Sequence, residues 1–221
     1  MWRLKQLLNS VSHRWHAYLR NLRSQRLVRQ WQARTRSLPR SPDGRTMLHI
    51  GCGDIDAAGY INIDARPQAH VHITATSLFE LEMIPSGVAD LIYMSHVLEH
   101  VGHRQVVSTL REMHRILKKG GVLRISVPDF DSVLDIYMAT DKDVSSIEQP
   151  LMGGQDYPFN FHYAVFNAKN LTAKLLQSGF NSTRTWQPNE VSDHDFEDWA
   201  SRSVVLQGQA FPISLNIEAV K

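Results

Sequence analysis

The sequence predicts an α/β fold, a doubly wound and mostly parallel seven-stranded sheet preceded by a basic amphipathic helix. Two observations carry this. Short apolar runs alternate with helical patterns from residue 46 onward, the signature of a βαβ series. The charge also changes abruptly near residue 40: ten of the 24 basic residues and no acid lie in residues 1–40, so the remainder holds 14 bases against 22 acids, a net of −8.

The first element is the basic helix. Leu4, Leu7, Leu8, Val11, Trp15, Tyr18, Leu19 and Leu22 recur at helical spacing on one arc. The stripe loses phase at Leu27, Val28 and Trp31, and Leu38–Gly44, with two prolines and a glycine, reads as a linker. Two regions follow: a helical extension over 1–40 and an α/β domain over 45–221.

The strands are expected at Thr46–Ile50, Tyr60–Asp64, Val71–Ala75, Ala89–Ser95, Val122–Val127, Asn181–Gln187 and, with weaker alternation, Ile213–Val220. Arg104–Lys119 places Val106, Leu110, Met113 and Leu117 on one face, with two lysines in its last turn and Gly120-Gly121 as a stop, and reads as a crossover helix. A second helix is expected from an Asn167 cap through Leu171, Leu175 and Leu176 to Gly179. Residues 141–163 and 188–209 have little period and read as loops or lids.

Chemistry is expected where the first strand runs into Gly51-Cys52-Gly53, because ligands of open α/β sheets bind at the carboxyl ends of the strands. Glycines permit close approach and positive φ, so Gly51 and Gly53 are read as lying against a nucleoside with their N–H groups exposed. Asp64 ends the next strand, where a carboxylate either accepts the two hydroxyls of a ribose or caps the turn before Pro67. Only the nine residues Gly51–Gly59 separate the first two strands, near the minimum for a parallel connection, so Asp54–Gly59 is expected to form one turn and leave the pocket more open.

Cys52 is the only cysteine, which excludes an intramolecular disulfide and points to a reducing compartment. It reads either as a reactive thiol or as a small residue tolerated in the turn; no base or second cysteine favours the former. His70 and His72 face the same way on a strand without a third ligand, so no metal site is expected. No stretch reaches the ~18 apolar residues of a membrane span.

Leu48-His49-Ile50-Gly51-Cys52-Gly53, Asp64, Ala89–Tyr93 with His96-Val97-Leu98-Glu99-His100, and Leu117–Leu123 occur in an order that resembles class I methyltransferases over roughly residues 46–128. The chain, including Phe161-His162-Tyr163 and Ser214–Lys221, is also similar to bacterial methyltransferases associated with surface-polysaccharide synthesis. The resemblance implies a Rossmann-like sheet and S-adenosylmethionine as cofactor. Gly51, Cys52 and Gly53 would hold its methionine part, Asp64 its ribose, and Thr76 and Ser77 would lie near its adenine. Ser95 and His96 would face the cofactor and acceptor. The family's usual third glycine is replaced here by Ile55.

Methyl transfer is an in-line displacement that requires alignment and neither metal nor covalent residue. A hydroxyl acceptor also needs a base, and His96 and His162 are the candidates; His100 is read as orienting the loop. The expected activity is methylation of a hydroxyl on a glycan or related small molecule. Two alternatives stay open: a nicotinamide-dependent oxidoreductase, disfavoured by the missing glycine and short crossover, and an inactive adaptor tethered by its N-terminal helix. The expected location is cytoplasmic, with residues 1–40 as a peripheral contact at the inner membrane face. Docking of the helix on its own acidic domain or in a dimer fits the same pattern, nucleic acid is disfavoured by the apolar stripe, and oligomeric state is not assigned.

Overall fold

In the computed structural model, residue 19 and residues 22–78 and 80–221 are described. Of the apolar stripe expected from Leu4 to Leu22, the part up to Tyr18 lies outside them. Residues 22–34 (α1) are helical, so the helix runs on past the point where the stripe loses phase, and Trp31 is buried. No helix among the described residues is long and apolar enough to cross a membrane. The chain divides into a small unit, up to Leu38 with Glu82–Pro85, and a large one, Pro39–Leu81 with Ser86–Lys221.

The large unit contains β1 (Met47–Ile50), β2 (Tyr60–Asp64), β3 (Ile73–Thr74), β4 (Ala89–Ser95), α2 (Val106–Ile116), β5 (Leu117–Pro128), α3 (Phe130–Ala139), α4 (Glu148–Met152), α5 (Ala168–Gln177), β6 (Ser182–Thr185), β7 (Ser203–Leu206), β8 (Gln209–Pro212) and β9 (Ser214–Val220). Seven strands form one sheet in the order β3-β2-β1-β4-β5-β9-β6. The first five are parallel and β9 runs antiparallel between β5 and β6. The strand order reverses between β1 and β4, which makes their carboxyl ends the binding edge.

Right-handed crossovers place the β4–α2–β5 connection and the short β1–β2 connection on opposite faces of the sheet. The helix-bearing face presents Leu48, Ile50, Ile61, Ile63, Ile92, Met94, Leu123, Ile125 and Ile217, all buried. There α2 buries Val106, Leu110, Met113 and Ile116, and α5 buries Leu171 and Leu175. Asn167 caps α5 through a reciprocal box with Asn170, as its sequence predicts.

Several boundaries differ from the sequence reading. The crossover helix ends at Ile116, not Lys119, because Leu117 turns extended and pairs with Ala89, while Lys118 reaches Asp90 at 2.7 Å. The third strand shrinks to two residues. Phe130–Ala139, unassigned from sequence, is helix α3, capped by Asp129. The segments read as loops hold α4 and, at 203–212, most of a two-stranded hairpin of β7 and β8, whose Phe211 packs with Val133, Ile136 and Ile147. Residues 54–59 form turns without a helix, as the short crossover requires.

Candidate active site

Gly51 and Gly53 adopt φ of +69° and +55°. At Gly51 the requirement is also steric, because an added Cβ would lie 2.2 Å from Val97 Cγ2. The turn is thereby pressed against the residues that follow β4. A Cβ at Gly53 would meet only Arg66, at 3.8 Å, so that side of the turn is open.

The N–H groups expected to face a ligand are turned inward. Gly51 and Cys52 donate to Ile63 O at 2.7 and 3.3 Å, and Gly53 donates to Asp64 Oδ2 at 2.9 Å. Asp64 Oδ1 accepts from Arg66 N at 2.8 Å, which is the turn-capping alternative. Each carboxylate oxygen still has a second lone pair for a hydroxyl. From the loop after β2, Gln68 Nε2 and His70 Nε2 reach Gly53 O at 3.3 and 2.9 Å. Sequence reasoning missed Arg66, Gln68 and His70, since nothing in their spacing ties them to a turn 13 to 17 residues earlier.

Cys52 is buried, and burial pushes its thiol up to about 12, which leaves it protonated and unreactive at neutral pH. Thr76 is exposed. Ser77 carries a buried hydroxyl that makes no hydrogen bond of normal geometry, whereas the buried Ser95 hydroxyl lies beside the Asp198 carboxylate and helps to keep it ionised. Asp90, at the start of β4, is structural: it accepts from Thr46 N and pairs with Lys118.

His96 follows β4 at φ +52°, a left-handed conformation that costs a non-glycine residue about 1–3 kcal/mol and recurs at functional sites. Its backbone N–H donates to Ser126 O at 2.9 Å, Nε2 lies 2.8 Å from Ser214 Oγ, and Nδ1 lies 3.3 Å from Glu99 Oε1. Glu99 is 1% exposed. Burial pushes its carboxyl up, but His96 and His100 outweigh that and hold it below the usual range, so it is ionised.

A strap containing His162 crosses this turn. Tyr163 N and Ala164 N both donate to Glu99 O, at 2.8 and 3.2 Å, and His100 Nδ1 lies 3.1 Å from Phe161 O. The His100 and His162 rings meet edge to face at 4.8 Å. His162 also lines a groove of about 420 Å³ with His103, Val106, Tyr163, Asn170 and Lys174. Burial lowers the His162 pKa and keeps the ring neutral at pH 7.

The structure therefore gathers Gly51–Gly53, Asp64, Ser95 and His96 at the carboxyl edge of adjacent strands β2, β1 and β4, with Ser77 just past β3. His162 lies against His100. Glu99 and Ser214, which hold His96, lie in motifs quoted from the sequence but were given no role there; Ser214 lies 118 residues from His96.

A family model described as a methyltransferase domain matches residues 15–185. No curated protein matches the chain. Among solved structures, a SAM-dependent methyltransferase from Archaeoglobus fulgidus is 15% identical with a TM-score of 0.51, over 89% of this chain and 94% of its own. One from Thermotoga maritima is 19% identical with a TM-score of 0.49, over 93% and 95%. The 1,6-didemethyltoxoflavin-N1-methyltransferase of Burkholderia thailandensis, with S-adenosylhomocysteine bound, is 14% identical with a TM-score of 0.48, over 80% and 71%. At such identity the first of these shows a shared fold, and the family match over most of the chain shows the family: this chain belongs to the methyltransferase-domain family.

Proposed function

We propose that the enzyme methylates a hydroxyl of a glycan or related small molecule and that His96 takes the hydroxyl's proton. The observation that carries this reading is the strained His96 at the end of β4, oriented by the buried Glu99 carboxylate. Ser214 Oγ donates its hydrogen to Trp199 O at 2.7 Å, so His96 Nε2–H donates to Ser214 Oγ at 2.8 Å; to act as base His96 keeps Nδ1–H toward Glu99, releases that Nε2 hydrogen and turns the freed lone pair to the acceptor. An amine acceptor that is already neutral needs no such base, which favours oxygen. His162, fixed on its strap, is the second candidate base.

The residues present fit the cofactor. Gly53 is open on one side, and the Ser77 hydroxyl is buried without a hydrogen bond of normal geometry, as a group that meets a polar ligand would be. Gly51, Cys52 and Gly53 would hold the methionine part, Asp64 the ribose, Thr76 and Ser77 the adenine edge, with Ser95 beside the reacting end. When bound, the cofactor supplies an electrophilic methyl group on a sulfonium. The chain's own work is to align the acceptor, remove its proton at His96 Nε2 and exclude water. Residues 1–40, with ten bases and no acid, would bring the enzyme to an anionic membrane surface; co-sedimentation with phosphatidylserine vesicles tests that contact.

Calorimetry with S-adenosylhomocysteine tests the cofactor site, and Asp64→Ala should weaken binding at least tenfold. With acceptor glycans and labelled cofactor, His96→Gln should lower kcat by about 10²–10⁴ while leaving cofactor affinity unchanged. Unaltered kcat in His96→Gln, or transfer of methyl to nitrogen in the product's NMR spectrum, would overturn the reading.

A further inference from the structure

Glu99 is a charged group in the wrong solvent. Its carboxylate is 1% exposed, and neither oxygen makes a hydrogen bond of normal geometry; His96 Nδ1, 3.3 Å from Oε1, is the nearest ring nitrogen described. A buried carboxylate without hydrogen bonds is costly unless a cation stands beside it. Two histidines border it. One ligand atom from each of Glu99, His100 and His162 lies within 4.8 Å of the other two, and among the described residues this is the one grouping of three such side chains within reach of a single ion.

The two imidazoles are set up alike. His100 Nδ1 lies 3.1 Å from Phe161 O, and His162 Nδ1 lies 3.0 Å from Pro150 O. A carbonyl only accepts, so Nδ1 carries the hydrogen on both rings and Nε2 keeps its lone pair. A metal-bound histidine is commonly oriented in this way, by its second nitrogen donating to a backbone carbonyl. The strap and the Leu98–His100 turn are also joined by the backbone bonds from Tyr163 and Ala164 to Glu99 O, which fix the three residues near one another without an ion.

We propose that Glu99, His100 and His162 bind one first-row divalent cation, zinc being the best match to two imidazoles and a carboxylate. Glu99 has two oxygens, so one ligates while the other continues to orient His96. Zinc bonds of about 2.0–2.2 Å require ligand atoms nearer to one another than 4.8 Å, so binding draws the His162 strap toward the turn. Three protein ligands leave a tetrahedral ion one position for water or another oxygen. The site stands on the geometry of these side chains and does not depend on the acceptor proposed above.

The full chain, stripped with a chelator and dialysed, is titrated with Zn²⁺ in competition with a chromophoric chelator. One equivalent should bind, and Glu99→Gln and His162→Gln should each weaken it by on the order of 100-fold. Co²⁺ in place of Zn²⁺ should give the intense visible bands of a four-coordinate site, lost in His162→Gln. Half-exposed His162 lies on a surface strap, so that variant decides the matter should Glu99→Gln fail to fold by circular dichroism. Less than one equivalent bound by wild type, or equal affinity in the folded variants, overturns the site and leaves His96 to neutralise Glu99. Calorimetry with S-adenosylhomocysteine on the same stripped protein reads the cofactor site separately.

Discussion

On one face of the sheet Leu48, Ile50, Ile92, Met94, Leu123 and Ile125 meet the helix-bearing layer; on the other Met47, His49, Tyr60, Tyr93, Arg124 and Glu218 meet residues 186–201, which contain no α-helix. Both faces are buried, yet the second mixes polar and charged residues with its apolar cluster of Met47, Leu91, Tyr60 and Tyr93. The difference follows from the covers. A helix satisfies its own backbone, whereas a buried irregular segment must find partners for its N–H and C=O groups. Tyr60 donates to Asp193 O at 2.6 Å, and Asn216 Nδ2 donates to Ala200 O at 2.9 Å. Side chains of the same segment take part: Tyr93 donates to Asp198, Arg45 pairs with Asp193, and Phe196 stacks on His49 at 5.6 Å. Trp186, at the start of the segment, donates from Nε1 to Ile125 O at 3.2 Å. The short Asp54–Gly59 crossover is the root of this, because it brings no helix to that face.

The polar face should therefore fail through lost partners and the apolar face through lost volume. Glu218 accepts from buried Arg124 at 2.7 Å and from exposed Arg184 at 2.6 Å. Glu218→Ala strands the Arg124 charge and should cost about 3–5 kcal/mol in urea unfolding. A cost below that of a core truncation would show that the face tolerates unpaired charge.

The next effect is acid lability. Burial holds His49 down to about 4, against an ordinary value near ~6.5. The unfolded chain takes up this proton first, so the stability is fully present above pH ~6.5 and is lost as pH falls toward the folded value. The loss should be on the order of 3 kcal/mol, and His49→Phe should flatten the fall in Tm across that window. Asp198 behaves in the same sense at lower pH: burial pushes it up, but hydrogen bonds from His194 and Tyr93 bring it down to about 2, so its contribution fades below pH ~3.8. A Tm independent of pH between 6.5 and 4.5 in wild type would contradict the His49 assignment.

Tyr93→Phe removes the hydroxyl that serves Asp198 and should cost about 2 kcal/mol, while the same protein with His194→Phe should lose less than the two single costs together. Ile125→Val on the apolar face should cost about 1 kcal/mol with no change in pH dependence. Equal pH profiles for variants on both faces would erase the distinction between them.

Much of the helix-bearing side was legible in the sequence because its interactions are local or repetitive. Tyr60–Asp64 and Ala89–Ser95 are strands at the residues expected, and Asn167 announces α5 by its cap. Helix α3 was hidden because Leu134 and Met138 are exposed among its buried Val133 and Ile136, which blurs the period. Lys118–Gly121 imitates a helix stop, but the partner that turns it into strand is Ala89. At the candidate site, position in the sequence placed the glycine turn, Asp64 and His96 at the carboxyl ends of strands, whereas the inward donation of the turn's N–H groups and the meeting of Glu99 and His100 with His162 depend on contacts that spacing does not encode.

The insertion of β9 between β5 and β6 has a consequence for biogenesis. During synthesis β6 has no neighbour to pair with until Ser214–Val220 has left the ribosome, so residues 182–212 are made before the edge they join exists. The parallel core of β1, β2, β4 and β5 can assemble earlier, with His49, Tyr93 and Arg124 still in water. The nascent protein thus passes through a stage in which one side of its sheet is finished and the other, where Met47, Leu91 and Tyr93 lie among His49 and Arg124, still waits for its cover.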